Sequence, residues 1–212
     1  MMMLRSVPVL LTVISCSILF TQCKKTTDSV QPDYSPLTAG STRTYLSSGS
    51  TYTLTATNKD TTVNSHTYRV LTNSAGGNNY LGKSGNDYYR FGTLSGIGIN
   101  NLEELYLKDN SDVNTTWKID QSFTYPGVPI PLTATLNYTI KAKGVSHTVN
   151  GKNFDNVVQV RLDLSISGFG SVGGGDFYYA AGVGMIESDI AVNAVGVGSF
   201  NETTTLTAYQ VK

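Results

Sequence analysis

Charge is scarce in this chain, and what there is cancels. Charged side chains make up 14% of the 212 residues, and 15 Lys plus Arg meet 15 Asp plus Glu. An ordinary soluble domain carries roughly 25%. A nucleic-acid binder needs a basic excess to neutralise phosphates, so the balance excludes that class. Two cysteines and two histidines are too few for the common Cys/His zinc frameworks, and no metal or cofactor is implied. The Gly-x-Ser-x-Gly, P-loop, His-Glu-x-x-His and EF-hand patterns are all missing, which leaves no catalytic residue to name. After Leu37 no long stretch repeats its apolar residues every 3.6 positions, so a helical domain is excluded as well.

Glycine (21) and tyrosine (13) are plentiful instead. The chain opens MMMLRSVPVLLTVISCSILFTQC. Arg5 supplies a positive start, and the apolar run that follows is about 15 residues long, short of the ~20 that a membrane-spanning helix needs. Residues 1–22 are therefore read as a signal peptide. Hydrophobicity stops at Cys23, and KKTTDSVQPD follows, a polar stretch suited to a flexible tether over 23–33. Cys23 is the expected lipidation site. Cys16, after Val13-Ile14-Ser15, is the alternative, because Gln22 precedes Cys23 where a small residue is usual. The partner implied is a membrane, reached through a lipid anchor.

Residues 34–212 are expected to form one all-β domain. Thr51–Thr57, Thr135–Lys141 and Val158–Ile166 alternate apolar and polar residues, the mark of antiparallel strands with one wet face. Turn residues such as Asn150-Gly151 and Gly76-Gly77 separate the runs. About eleven strands are expected, near 42–47, 50–58, 65–74, 78–83, 86–92, 115–124, 132–145, 154–167, 174–180, 184–193 and 197–210. Residues 102–106, Leu-Glu-Glu-Leu-Tyr, suit a short helical turn or a further strand. The longest runs favour a curved antiparallel sheet or partly closed barrel. A faint internal repeat divides the domain at about 34–107 and 108–212. It pairs Thr62-Val63-Asn64 with Thr148-Val149-Asn150, and the doublet Tyr88-Tyr89 with Tyr178-Tyr179, as two related β-meanders would.

Tyr34-Ser35-Pro36-Leu37 with Gly40 and Tyr45, and the later Tyr178-Tyr179-Ala180-Ala181-Gly182-Val183-Gly184, resemble the opening and closing motifs of Bacteroidota-type lipoproteins that have no assigned activity. Arg43 stands where that opening usually has Trp. The resemblance implies a lipid-anchored, β-rich, half-barrel body in the bacterial envelope, at the outer membrane, and carries no catalytic residue with it.

Candidate chemistry is thin. Gly168-Phe169-Gly170-Ser171-Val172-Gly173 matches a dinucleotide fingerprint in letters, but a strand pattern follows it, so a hairpin loop is expected. His66 and His147 read as solvated turn residues. Glu103, Glu104, Asp109 and Asp112 form an acidic group, and Glu187 and Asp189 share one strand face. Within each tyrosine doublet the rings must point to opposite sheet faces. Tyr88, Tyr89, Tyr178 and Tyr179 are thus the candidate ligand-facing aromatics. Trp117 is expected in the core. Gly182 and Gly184 are expected to redirect the chain, with an anion-binding backbone nest ranked lower because the segment contains no Lys or Arg. The function expected is a non-catalytic binding or scaffold module with a glycan, a lipid or an envelope protein as partner. The alternatives are a carrier of an apolar ligand in a half-barrel and a glycan hydrolase using carboxylates such as Glu103 or Asp176.

The anchor is testable directly. Cys23→Ser should move the chain from the membrane fraction to the soluble fraction and abolish incorporation of an alkyne-labelled palmitate. Labelling that survives Cys23→Ser and is lost with Cys16→Ser reassigns the site.

Overall fold

Side chains that change character at every second residue draw the described residues into twelve strands. They are β1 (Thr42–Ser47), β2 (Ser50–Val63), β3 (His66–Asn73), β4 (Asn78–Ser84), β5 (Asp87–Leu94), β6 (Ile99–Lys108), β7 (Thr116–Phe123), β8 (Leu132–Val149), β9 (Lys152–Ile166), β10 (Gly170–Ala180), β11 (Gly184–Ala194) and β12 (Gly198–Gln210). The computed structural model describes residues 32–126, 128–194 and 198–212. The expected signal peptide, Cys16, Cys23 and the expected tether up to residue 31 lie outside the described residues.

All twelve strands belong to one sheet, ordered β6-β5-β4-β3-β2-β1-β12-β11-β10-β9-β8-β7. Each ladder is antiparallel. The sheet grows outward on both sides of the β1–β12 pair and curls until β6 and β7 approach each other, giving a nearly closed barrel. No ladder joins β6 to β7. Side chains span the seam instead: the Trp117 indole N–H donates to the Leu105 carbonyl at 2.7 Å, and the Tyr138 hydroxyl of β8 donates to Glu104 of β6 at 2.6 Å.

The expected all-β, curved and partly closed sheet is what forms, with one strand more than expected. The additional strand is β6, which contains the Leu-Glu-Glu-Leu-Tyr segment. An acid at an inward position hides the two-residue period, because Glu104 is buried with only 3% of its surface exposed. Its partner Arg90 sits directly across on β5 and is invisible to any local reading.

The interior is filled on one side and open on the other. β9 turns Val158, Val160, Leu162, Leu164 and Ile166 inward, each 3% exposed or less, and β8 faces them with Ala134, Leu136, Tyr138 and Ile140. Each buried aliphatic of this kind contributes about 1.5–3 kcal/mol. On the opposite wall several inward positions are small or polar, Gly92 on β5, Ser188 on β11 and Thr204 on β12, with Ile190 and Phe200 beside them. The tight turns follow the residues that permit them. Asn150 and Gly151 have φ of 50° and 77°, the two positive values that a two-residue hairpin with right-handed twist demands. The Gly-x-Gly-x-x-Gly stretch lies in the β9–β10 hairpin and the start of β10, as expected.

Trp117 corrects an expectation. It is half-buried, not buried, because β7 is a sheet edge and its side chain lies along the seam, stacked on Tyr138 at 5.4 Å. Trp117→Phe keeps the stack and loses the indole hydrogen bond, which should cost about 1 kcal/mol. Trp117→Ala should cost about 2–3 kcal/mol, below the range for a fully buried aromatic. Urea unfolding of the two variants measures both.

Candidate ligand-binding site

The open side of the barrel holds two adjoining chambers. The outer one has a volume of about 750 Å³ and is bordered by the β3–β4 turn at Gly76 and Gly77, by Gly96, and by Phe91, Phe177 and Phe200. The inner one is about 160 Å³ and is bordered by Ser35, Arg43, Tyr45, Tyr106, Tyr179 and Gly184. Tyr52, Asn79, Leu81, Arg90 and Met185 line both. Gly92 helps make the space: a Cβ added there would meet nothing within 4 Å.

Arg90 and Glu104 stand between the chambers and the filled core. Arg90 Nη2 donates to Glu104 Oε1 at 2.7 Å, and its Nε donates to the other carboxylate oxygen. Burial opposes the Arg90 charge, and the Glu104 carboxylate beside it more than compensates, holding the guanidinium charged above its ordinary range. The Tyr138 phenol is pushed far up, first by burial and then by Glu104, so it donates to the carboxylate and does not compete with it. Removing Arg90 would leave the buried Glu104 charge uncompensated, a change that costs about 3–5 kcal/mol in a fully buried pair and less here, because water reaches a third of the Arg90 side chain.

The inner end is closed by residues 32–37. The Tyr34 N–H donates to the Tyr88 hydroxyl at 3.2 Å, and the Tyr34 hydroxyl donates to Asn156 at 3.1 Å. The Asp33 carbonyl accepts from the Gly182 N–H at 2.7 Å. Arg43 ties this strap to the β10–β11 turn, its Nη2 donating to the Pro36 carbonyl and its Nε to the Val183 carbonyl. Gly184 makes room for it. Its φ is 106°, and a Cβ there would lie 2.9 Å from Arg43 Nε.

The tyrosine doublets divide as the strand period requires. Tyr88 and Tyr179 point inward and are buried. Tyr88 donates to the buried Asp109 at 2.8 Å and accepts from Lys83 at 2.7 Å, while Tyr179 lines the inner chamber. Tyr89 and Tyr178 lie on the other face, and each carries a histidine. His66 stacks on Tyr89 at 4.1 Å and hydrogen-bonds Glu103 at 2.9 Å. His147 stacks on Tyr178 at 3.9 Å and hydrogen-bonds Glu187 at 2.7 Å. The histidines are therefore packed and partnered, correcting their reading as solvated turn residues. The local sequence around them shows Ser and Thr, and only the sheet brings in the aromatic and the acid. Of the four candidate aromatics, Tyr179 faces the cavity.

The acidic group is dispersed. Glu104 faces inward and Asp109 is buried, whereas Glu103 faces outward and also accepts from Tyr68 and from Asn64. Burial tends to raise the Glu103 pKa, but the hydrogen bonds from Tyr68, Asn64 and His66 outweigh it and hold the carboxyl below its ordinary value. Asp176 is held by Arg161 at 2.9 Å and Gln159 at 3.0 Å. Glu103 and Asp176 thus belong to separate hydrogen-bonded sets. The sequence reading missed Arg43, Arg90 and Glu104 as cavity residues; the one available signal was Arg43 in place of an expected Trp.

Gly184→Val should lower the thermal unfolding midpoint of the ligand-free chain, at a cost of about 2–4 kcal/mol, through a strained positive φ and a collision with Arg43. An unchanged midpoint, read by circular dichroism, would show that the turn tolerates a side chain.

No family model matches the chain, and no curated protein matches it. Two solved structures are similar to it. One, from Parabacteroides distasonis, is provisionally described as a lipoprotein. It is 16% identical, with a TM-score of 0.47, over 84% of this chain and 99% of that one. The other is provisionally described as an exported protein with a YmcC-like fold, from Bacteroides fragilis. It is 11% identical, with a TM-score of 0.43, over 84% of this chain and 99% of that one.

Proposed function

We propose that the chain is a lipoprotein of the bacterial envelope, anchored through Cys23 at the outer membrane, that binds a small amphipathic molecule inside its barrel without transforming it. The observation that carries this reading is the 750 Å³ outer chamber. Its volume falls within the range of small-molecule pockets, roughly 300–1,000 Å³. Tyr52, Phe177, Ile190 and Phe200 alternate with Asn79, Asn101, Ser188 and Thr204 along its walls, which suits a ligand that carries both apolar and polar surface. The filled β8–β9 side argues against a long open groove, so a ligand of short or medium length is favoured over a long-chain lipid.

The hydrolase alternative needs two carboxylates facing one another about 5–9 Å apart across a substrate. Glu103 and Asp176 are each engaged by their own donors, which favours the binding reading.

The neutral fluorophore N-phenyl-1-naphthylamine tests it. The purified chain should enhance the probe's fluorescence with saturation at one site. Gly92→Leu, which places a side chain in open space within the cavity, should weaken binding by about tenfold or more while leaving the unfolding midpoint near that of the parent. Equal enhancement by parent and variant would remove the interior from consideration.

A further inference from the structure

We propose that the inner chamber receives the carboxylate of an amphipathic monoanion, a medium-chain fatty acid in chemical class, whose apolar body occupies the outer chamber. The proposal rests on the reading of the interior as a ligand site and adds the chemistry and the orientation of the ligand.

The charge distribution carries the argument. Two guanidiniums, Arg43 and Arg90, line the inner chamber, and among the described residues no carboxylate does. Glu104 and Glu202 line the outer chamber only. Arg90 is matched by Glu104 at 2.7 Å, but Arg43 forms no ion pair among the described residues. It is 3% exposed, its contacts are the Pro36 and Val183 carbonyls, and its Nη1 is buried without an acceptor. Carbonyl dipoles compensate a full charge only in part, and a buried unpaired cation is expensive. An anion beside it would relieve that cost. It need not touch Nη1, because a unit charge in a poorly screened interior acts over several ångströms. The direct contact falls to Arg90, whose side chain is 33% exposed and borders both chambers.

The other walls fit a carboxylate. Tyr106 and Tyr179 pack against each other at 5.2 Å, their rings tilted by 31°, and line the inner chamber with the guanidiniums. Burial pushes the Tyr106 phenol up to about 12 and Tyr179 well above its ordinary value, so both remain neutral donors. A volume of 160 Å³ admits a carboxylate and its first methylenes, with a few waters at ~30 Å³ each. Glu202, hydrogen-bonded to Ser47 and Thr204, is exposed in the outer chamber and disfavours the reverse orientation. Phe177, Phe200, Leu81 and Ile190 supply the apolar surface for the body, beside the polar Asn101, Ser188 and Thr204.

The test is displacement of N-phenyl-1-naphthylamine by dodecanoate, dodecanol, acetate and inorganic phosphate. Dodecanoate should displace the probe at a concentration about tenfold or more below dodecanol, and acetate and phosphate should fail at the same concentrations. Arg43→Met should reduce the preference for the acid over the alcohol. Should that variant not fold, the parent chain decides with methyl dodecanoate, which keeps the apolar chain and loses the charge: it should displace the probe as weakly as dodecanol. Equal displacement by acid, ester and alcohol would overturn the head-group assignment while Gly92→Leu still blocks the probe. Binding of acetate or phosphate as tightly as dodecanoate would overturn the amphipathic ligand. Probe binding indifferent to Gly92→Leu would remove the interior reading itself.

Discussion

The closure of this barrel depends on a handful of side chains at a seam where no backbone ladder forms. Glu104 on β6 accepts from Arg90 on β5 and from Tyr138 on β8, and Trp117 on β7 both stacks on Tyr138 and donates to the Leu105 carbonyl. These contacts tie the two ends of a twelve-stranded sheet. Hydrogen bonds to a charged group are worth about 1.5–3 kcal/mol each, and burial makes them obligatory, since Glu104 without its donors would be an unpaired interior charge. A hydrophobic seam could also close the sheet. A polar seam closes it in one register, because the carboxylate is satisfied only when β5, β6 and β8 are aligned.

The interior inherits its shape from that arrangement. β8 and β9 put branched aliphatics across from one another and fill their side. β5, β11 and β12 turn Gly92, Ser188 and Thr204 inward and leave theirs open. Arg43 is the hinge between structure and chemistry. It fastens the strap to the β10–β11 turn through two carbonyls and borders the inner chamber with its charge unpaired. The anion-binding reading of the Gly182–Gly184 segment ranked low because no cation lies within it. Folding places Arg43 against it, yet the segment offers Arg43 a carbonyl and not a nest of N–H groups. The anion-favouring group is therefore the arginine itself.

The outer face has its own pattern. Both histidines in the chain carry a tyrosine on one ring face and a glutamate on one ring nitrogen. A carboxylate accepts only, so those nitrogens carry protons. His66 and His147 sit on β3 and β8, and their tyrosines on β5 and β10. Each imidazole therefore reaches across an intervening strand and helps hold the curvature of its half of the sheet.

Much of this architecture could be read from the sequence. Eleven of the strands are marked by two-residue alternation between turn residues, and the inward and outward members of the tyrosine doublets follow from the same period. The period is a local property of extended backbone, so it survives without knowledge of neighbours. Partners do not. The twelfth strand was obscured because Glu104 breaks the pattern unless Arg90 is known to lie across from it. The core place expected for Trp117 failed because burial depends on whether a strand is central or at an edge. The cavity was hidden altogether: it exists where Gly92, Ser188 and Thr204, 112 positions apart at the extremes, face the same space. Composition and periodicity are properties of neighbouring residues and determined the strands, the turns and the expected anchor. Pairing of charges and the distribution of filled and empty volume are properties of residues distant in the chain, and the tertiary structure alone decided them.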